Sequence, residues 1–313
     1  MKKKQFKNLD EQIDILRSKG LIIEDEQRAR NILFRENYFF ISGYRYLFMR
    51  TIKDRLFIKG TTFDELYSMF VFDRKIRNIM FKNILIIENN IKSIISYELS
   101  KKYGYKERDY LNPKNFVQDN MKSRQVKDVL NKMHRQIKVN GKQHSATMHY
   151  ISNYGYIPLW VLVKVLSFGI VTEFYNILKR EDQKAISEVY NLTPETMQIY
   201  LAILSNYRNL CAHEDIIYDH RTQRSIPNCE YHTKLKIPMT DDEYNYGKND
   251  LYALVIIMKQ MLSEEEFKEL IFELSYEVDI LDGRIEVVPT KALLNRIGFP
   301  DNWRDIENVW REI

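Results

Sequence analysis

The residues best suited to chemistry in this chain lie in one short stretch, Tyr207-Arg208-Asn209-Leu210-Cys211-Ala212-His213-Glu214. An Arg and a His stand five positions apart, with an Asn beside the Arg. A guanidinium grips a phosphate, and an imidazole moves a proton near neutral pH. That pairing suits metal-free cleavage of RNA, in which the ribose 2′-hydroxyl attacks the adjacent phosphorus. The reaction needs a base for that hydroxyl, an acid for the leaving 5′-oxygen, and positive charge for the phosphorane oxygens. His and Arg supply all three. The products are a 2′,3′-cyclic phosphate and a 5′-hydroxyl, and DNA, lacking the nucleophile, is no substrate.

The same residues also fit plainer work, with His213 closing a helix end and Arg208 pairing with a carboxylate. Geometry narrows the first reading. Five residues of ideal helix turn through about 500°, so Arg208 and His213 diverge by about 140°. Asn209 and His213, four apart, share a face. One copy then presents Asn209 with His213, and a second copy about a two-fold axis completes the cleft.

Other chemistries find little support. Two cysteines, Cys211 and Cys229, are too few for a disulfide framework or a cysteine zinc site, and they fit a reducing cytoplasm. His144 and His149 are five apart with no third ligand nearby, and His220 and His232 fall in a polar loop. There is no Gly-rich phosphate loop and no Gly-x-Ser-x-Gly elbow. No metal and no cofactor are therefore expected.

The elements that must position these residues are helices. Of 313 residues 44% are hydrophobic, with only 10 Gly and 7 Pro, a composition that favours long helices with a sizeable core. The net charge of +5 permits a nucleic-acid partner without requiring one. The basic start, Met1 to Lys4, has no apolar run behind it and is not read as a signal peptide. The most apolar window, 158–175, is interrupted by Lys164 and Glu173 and reads as a buried helix pair. No membrane span and a cytoplasmic location are expected.

Apolar spacing predicts helices over 9–19, 24–37, 62–102, 113–139, 160–166, 169–178, 183–190, 249–262 and 264–282. Thr193-Pro194-Glu195-Thr196 opens the helix that delivers Arg208 and His213. Residues 215–242 read as a loop with room for a short hairpin. Short helices are expected near the C-terminal end.

Several of these segments carry candidate RNA contacts. The aromatic stretch 38–48 is either a core-facing short helix with a tight turn or a base-stacking surface exposing Tyr44 and Arg45. Arg74 and Arg77 in Phe72-Asp73-Arg74-Lys75-Ile76-Arg77 pair with carboxylates or point at phosphate. The lysine-rich stretch 113–139, with Lys122, Arg124, Lys127, Lys132 and Arg135, is the best peripheral basic surface. His149 joins these candidates.

Taken together, the motifs resemble a family. Asn206 to Glu214 looks like the signature of the Abi-like (AbiD/AbiF) abortive-infection proteins of the HEPN superfamily. Further matching segments are Tyr38 with Ser42-Gly43-Tyr44, then Phe72 to Arg77 with Glu88. His149-Tyr150, Pro158-Leu159-Trp160 and Ser167-Phe168-Gly169 follow, and Gly298-Phe299-Pro300 with Trp303 closes the series. The likeness runs from about residue 8 to the end. It implies an all-α, HEPN-like helical bundle with added N- and C-terminal helices. It also implies a metal-independent endoribonuclease, formed between two copies, with Arg208, Asn209 and His213 as the catalytic set. An anti-phage, toxin-antitoxin-like role and a noncoding RNA partner are implied as well.

The expected organisation is an N-terminal helical extension over 1–60, a HEPN-like domain over 61–275, and a helical tail over 276–313. The basic helix at 113–139 and the loop at 215–242 are insertions in the middle domain. Two rival functions stay open: a non-catalytic protein that holds a structured RNA, and an interaction module whose helices only dimerise.

Overall fold

One helix of 41 residues organises the molecule. In the computed structural model, which describes residues 5–309 apart from 52, 54 and 142, it is the fourth helix. Three helices precede it: α1 (Leu9–Ser18), α2 (Glu26–Glu36) and α3 (Tyr38–Ser42), the last running into a 3-10 turn at Gly43–Phe48. The long helix, α4 (Phe63–Tyr103), begins in a capping box. Thr62 accepts the Glu65 amide, and the Glu65 carboxylate accepts the Thr62 amide at 2.9 Å. Its apolar stripe, Leu66, Phe70, Ile76, Met80, Ile84, Ile87, Ile91 and Ile95, is buried throughout. At about 1.5 Å per residue it spans roughly 60 Å. Gly104, with φ of +96°, ends it.

The chain then folds back along α4 in short pieces. These are α5 (Glu107–Tyr110), a 3-10 turn at Pro113–Asn115, α6 (Ser123–Asn140), α7 (Ser145–Tyr154), α8 (Leu159–Val165), α9 (Phe168–Ile177), α10 (Arg180–Ser187) and α11 (Pro194–Ala212). A polar connection follows, with α12 (Glu230–Lys234) and an antiparallel hairpin of β1 (Met239–Thr240) and β2 (Glu243–Tyr244). Then come α13 (Leu251–Met261), α14 (Glu264–Asp282), α15 (Thr290–Ile297) and a 3-10 turn at Trp303–Asn308. The fold is all-α, with that two-stranded hairpin as its named sheet.

α8, α11 and α14 all pack on α4, and α13 is buried along nearly its whole length. The apolar residues form one continuous core from Ile13 to Ile306. Glu65 also ties the two ends of the described chain together. Its second oxygen accepts the amides of Glu286 and Val287 at 2.8 and 2.9 Å.

The structure departs from the sequence reading in several places. α7 (Ser145–Tyr154) forms where no helix was expected. The basic stretch from 113 opens as a 3-10 turn and irregular chain, and becomes α-helical only at Ser123. The helix expected over 183–190 starts at Arg180 and tightens into a 3-10 turn at Glu188–Tyr190, stopped by Asn191 at φ of +54°. The 215–242 connection contains α12, whose five mostly polar residues carry no period to betray them.

Candidate active site

α11 is built to hold its C-terminal turn rigidly. Thr193 caps its start, accepting the Thr196 amide at 3.2 Å, and Pro194 takes the first helical position. Met197, Tyr200, Leu201, Leu204, Tyr207 and Cys211 are buried, and the helix lies against α4 and α9. Burial pushes the Cys211 thiol up to about 12, so it stays a protonated core residue.

The turn divides the three predicted residues between two directions. Arg208 lies on the flank facing α4, its side chain 30% exposed. Its Nε sits 3.5 Å from a Glu88 carboxylate oxygen, and its guanidinium lies 5.8 Å from the centre of the Phe81 ring. That ion pair lacks hydrogen-bond geometry: both facing atoms are buried without a hydrogen bond. Glu88 is held instead by Lys92, at 2.6 Å. Asn209 and His213 face solvent. Among the described residues the His213 side chain has no hydrogen-bond or ion-pair partner.

The chain leaves α11 through an unusual close. The Glu214 amide donates to the Cys211 carbonyl at 3.3 Å, and the Asp215 amide to the Leu210 carbonyl at 3.0 Å. This pair of bonds is the Schellman ending, whose pivot is normally Gly. Here the pivot is Glu214, at φ of +57°. A residue with a Cβ pays strain in that conformation, so the surrounding structure must impose it.

A buried polar knot imposes it. The Asp73 carboxylate accepts from the Tyr44 hydroxyl at 2.8 Å, from Arg77 at 3.1 Å, and from the amides of Ile217 and Tyr218 at 3.4 and 2.9 Å. Arg77 also donates to the Asp215 carbonyl at 2.8 Å, and the Tyr218 hydroxyl donates to the Gly43 carbonyl at 3.1 Å. A Cβ on Gly43 would lie 2.5 Å from the Ile216 side chain. Three sequence motifs, at 42–44, 72–77 and 208–213, thus converge on the loop that follows His213. Burial pushes the Asp73 carboxyl up to about 6, against the pull of its four donors.

These contacts correct two expectations. Tyr44 is 1% exposed and Arg77 is 4% exposed, with their polar groups committed, so neither offers a face to RNA. The core-facing reading of 38–48 is the right one for Tyr44, which packs on Phe70 and Tyr218. Arg45 is half-buried and donates to the Tyr46 hydroxyl. Arg74 pairs with Glu36 at 3.0 Å and lies over the Phe70 ring.

The remaining candidates lie elsewhere. α6 buries Val126, Val129, Leu130 and Met133 and turns Arg124, Lys127, Lys132 and Arg135 to solvent, and Lys122, just before it, is exposed as well. Lys132 is committed to Glu173, and Arg124 lies 4.0 Å from Asp128. α6 packs on α9, which packs on α11. His149 is exposed on α7, with the Asn153 amide 3.1 Å from its Nδ1.

Two features escaped the sequence reading. A row of rings runs from His149 through Tyr150, Tyr154, Tyr156 and Tyr105 to Trp160, with neighbouring centroids 5.4 to 6.3 Å apart. Tyr105, Tyr154 and Trp160 are exposed. The second is a cleft beside α11, where His220 meets Asn206 at 2.6 Å. The four-residue spacing of Tyr150 and Tyr154 was a signal for the first. The second draws on residues fourteen positions apart across a turn and left none.

Among the described residues no group of His, Cys, Asp and Glu is placed to hold a metal ion. Among the described residues, too, no helix is long and apolar enough to cross a membrane. Residues 31–219 match the family model described as Abi-like protein. No curated protein and no solved structure matches the chain. The matched span covers Tyr44, Asp73, Arg77, Arg208 and His213 and stops before α12.

Proposed function

The chain belongs to the Abi-like protein family, and from that premise we propose that it is an abortive-infection effector that cuts RNA as a metal-independent, HEPN-type endoribonuclease. One observation carries the reading. His213 and Asn209 stand free on the solvent face of a turn that buried contacts hold in a strained conformation. Strain maintained around unpartnered polar groups is the mark of a site held ready.

In this reading His213 moves the proton between the 2′-hydroxyl and the leaving 5′-oxygen. Arg208 stabilises the phosphorane; no hydrogen bond among the described residues ties its guanidinium down. Asn209 orients the imidazole or a phosphate oxygen. Because Arg208 flanks the turn and His213 tops it, one copy offers half a site, and a homodimer completes it. The exposed basic side of α6 suits a regulatory noncoding RNA.

The test is RNA cleavage and cell toxicity, with chelator present, for the parent, His213→Ala and Arg208→Ala. Each substitution is expected to lower cleavage by about 10²–10⁴-fold, and the parent's products should carry 2′,3′-cyclic phosphates. Undiminished cleavage by either variant overturns the assignment. The exposed ring row favours a second reading, an RNA-holding protein that cuts nothing. Salt-sensitive RNA binding with no product in any condition would select it.

A further inference from the structure

The cleft beside α11 has a chemistry distinct from the rest of the surface. It measures about 400 Å³ and is lined by Ala202, Ile203, Asn206 and the run His220 to Arg224. Two guanidiniums, an imidazole and three neutral polar side chains face it, and among the described residues no carboxylate lines it. Its size lies in the range of small-ligand sites.

The lining is anchored before any ligand arrives. Arg221 donates to the carbonyls of Arg296 at 2.7 Å and of His220 at 3.0 Å. His220 is fixed from two sides, by the Asn206 side-chain oxygen at 2.6 Å and by the Tyr207 ring, edge to face at 5.2 Å. With the amide so oriented, the His220 Nε2 is the donor and its Nδ1 is left as an acceptor. Arg224 is exposed and, among the described residues, has no ion-pair or hydrogen-bond partner. An anchored Arg beside a free one, in a concavity without acid, is a phosphate receptor by composition.

Position links this cleft to the candidate active site. Asn206 precedes His213 by seven residues, which turn through about 700°, within about 20° of two full turns. The two side chains therefore share the exposed face of α11, about 10 Å apart along its axis. Stacked nucleotides rise about 3.4 Å each along one strand, so that gap is a few nucleotides at most.

We propose that the cleft formed by Asn206, His220, Arg221 and Arg224 is a phosphate subsite that seats an RNA nucleotide flanking the one cut at His213. The proposal rests on the RNA-cleaving reading of that residue. It assigns Arg224 the mobile contact to the strand, with Arg221 and His220 forming the rigid wall. The subsite raises affinity and sets which phosphodiester reaches His213.

The experiment uses the full chain and a ten-nucleotide RNA carrying 2′-O-methyl groups throughout, which cannot be cut because its nucleophile is blocked. Fluorescence anisotropy at several salt concentrations compares the parent with Arg224→Ala, Arg224→Glu and a surface control, Lys268→Ala. Arg224→Ala is expected to weaken binding roughly fivefold and lower the salt slope by about one. Arg224→Glu weakens it further, and the control leaves both quantities unchanged. In cleavage of unmodified RNA, Arg224→Ala raises KM more than it lowers kcat. Parent-like affinity and slope in Arg224→Glu overturn the subsite, while cleavage lost in His213→Ala would still stand. A parent that binds but never cleaves, with Arg224 still required, keeps the subsite and removes the nuclease. A parent that binds no RNA removes both.

Discussion

The inner and outer sides of the α11 C-terminal turn and its surroundings put polar side chains to opposite ends. Inside, Asp73, Arg77 and Tyr44 are sealed from water, and the carboxylate between the other two accepts from four donors. Outside, Asn209, His213 and Arg224 are exposed, and neither His213 nor Arg224 has a partner among the described residues. A buried charge must be answered on the spot, since leaving it bare costs several kcal/mol. An exposed one is solvated and can wait for a ligand. The inner set therefore shapes the backbone, and the outer set is free for chemistry.

The contrast breaks or sharpens under substitution. The largest effect is expected at Arg77→Ala, which leaves the buried Asp73 carboxyl without its cation and the Asp215 carbonyl without its donor. Urea denaturation should show a loss of about 3–5 kcal/mol. His213→Ala should stay within about 0.5 kcal/mol of the parent. Equal losses would erase the distinction between the two sides.

Acid titration gives a somewhat smaller signal. Asp73 has its folded value raised from 3.8 to about 6 by burial. Between those values the folded chain keeps a proton that the unfolded chain releases. Its contribution to stability is therefore fully present below 3.8 and is lost as pH rises through 6. At 1.36 kcal/mol for each tenfold change, the swing is up to about 3 kcal/mol. The stability advantage of the parent over Asp73→Asn should grow as pH falls from 7 to 4. A gap that stays constant with pH would place the titration elsewhere. A smaller effect is a gain. Glu214→Gly removes the Cβ from a left-handed residue and should raise stability by about 1 kcal/mol. No gain would mean that the knot, not the residue, sets the whole cost of that turn.

Much of the helical frame was legible from local chemistry. Thr62 with Glu65 and the stripe from Leu66 to Ile95 placed α4 within a residue or two, because capping and periodicity are written in neighbouring positions. Thr193-Pro194 did the same for α11, and the 3.6-residue turn separated Arg208 from His213 before any fold was known. What stayed hidden was depth. Tyr44 and Arg77 look like exposed aromatic and basic residues until Tyr218 and Asp215 close over them, and Asp73 meets the Tyr218 amide across 145 positions. The close of α11 was hidden for another reason, since Glu at the pivot gives no turn signal where Gly would. The ring row is assembled from α7, α8 and the Tyr105 corner, and no single window contains it.

Glu65 carries a consequence for how the protein is made. Its carboxylate sits 5% exposed at the first turn of α4, and one of its oxygens is met only by amides 221 and 222 positions later. While the ribosome is still translating the middle of the chain, that oxygen has no protein donor. The long helix can grow during synthesis, but its starting end is sealed only after residues 286 and 287 have emerged. Contacts of such sequence separation form late. The clasp therefore acts as a completion check: a chain interrupted before that point lacks the bonds that tie the start of α4 to the segment that follows α14.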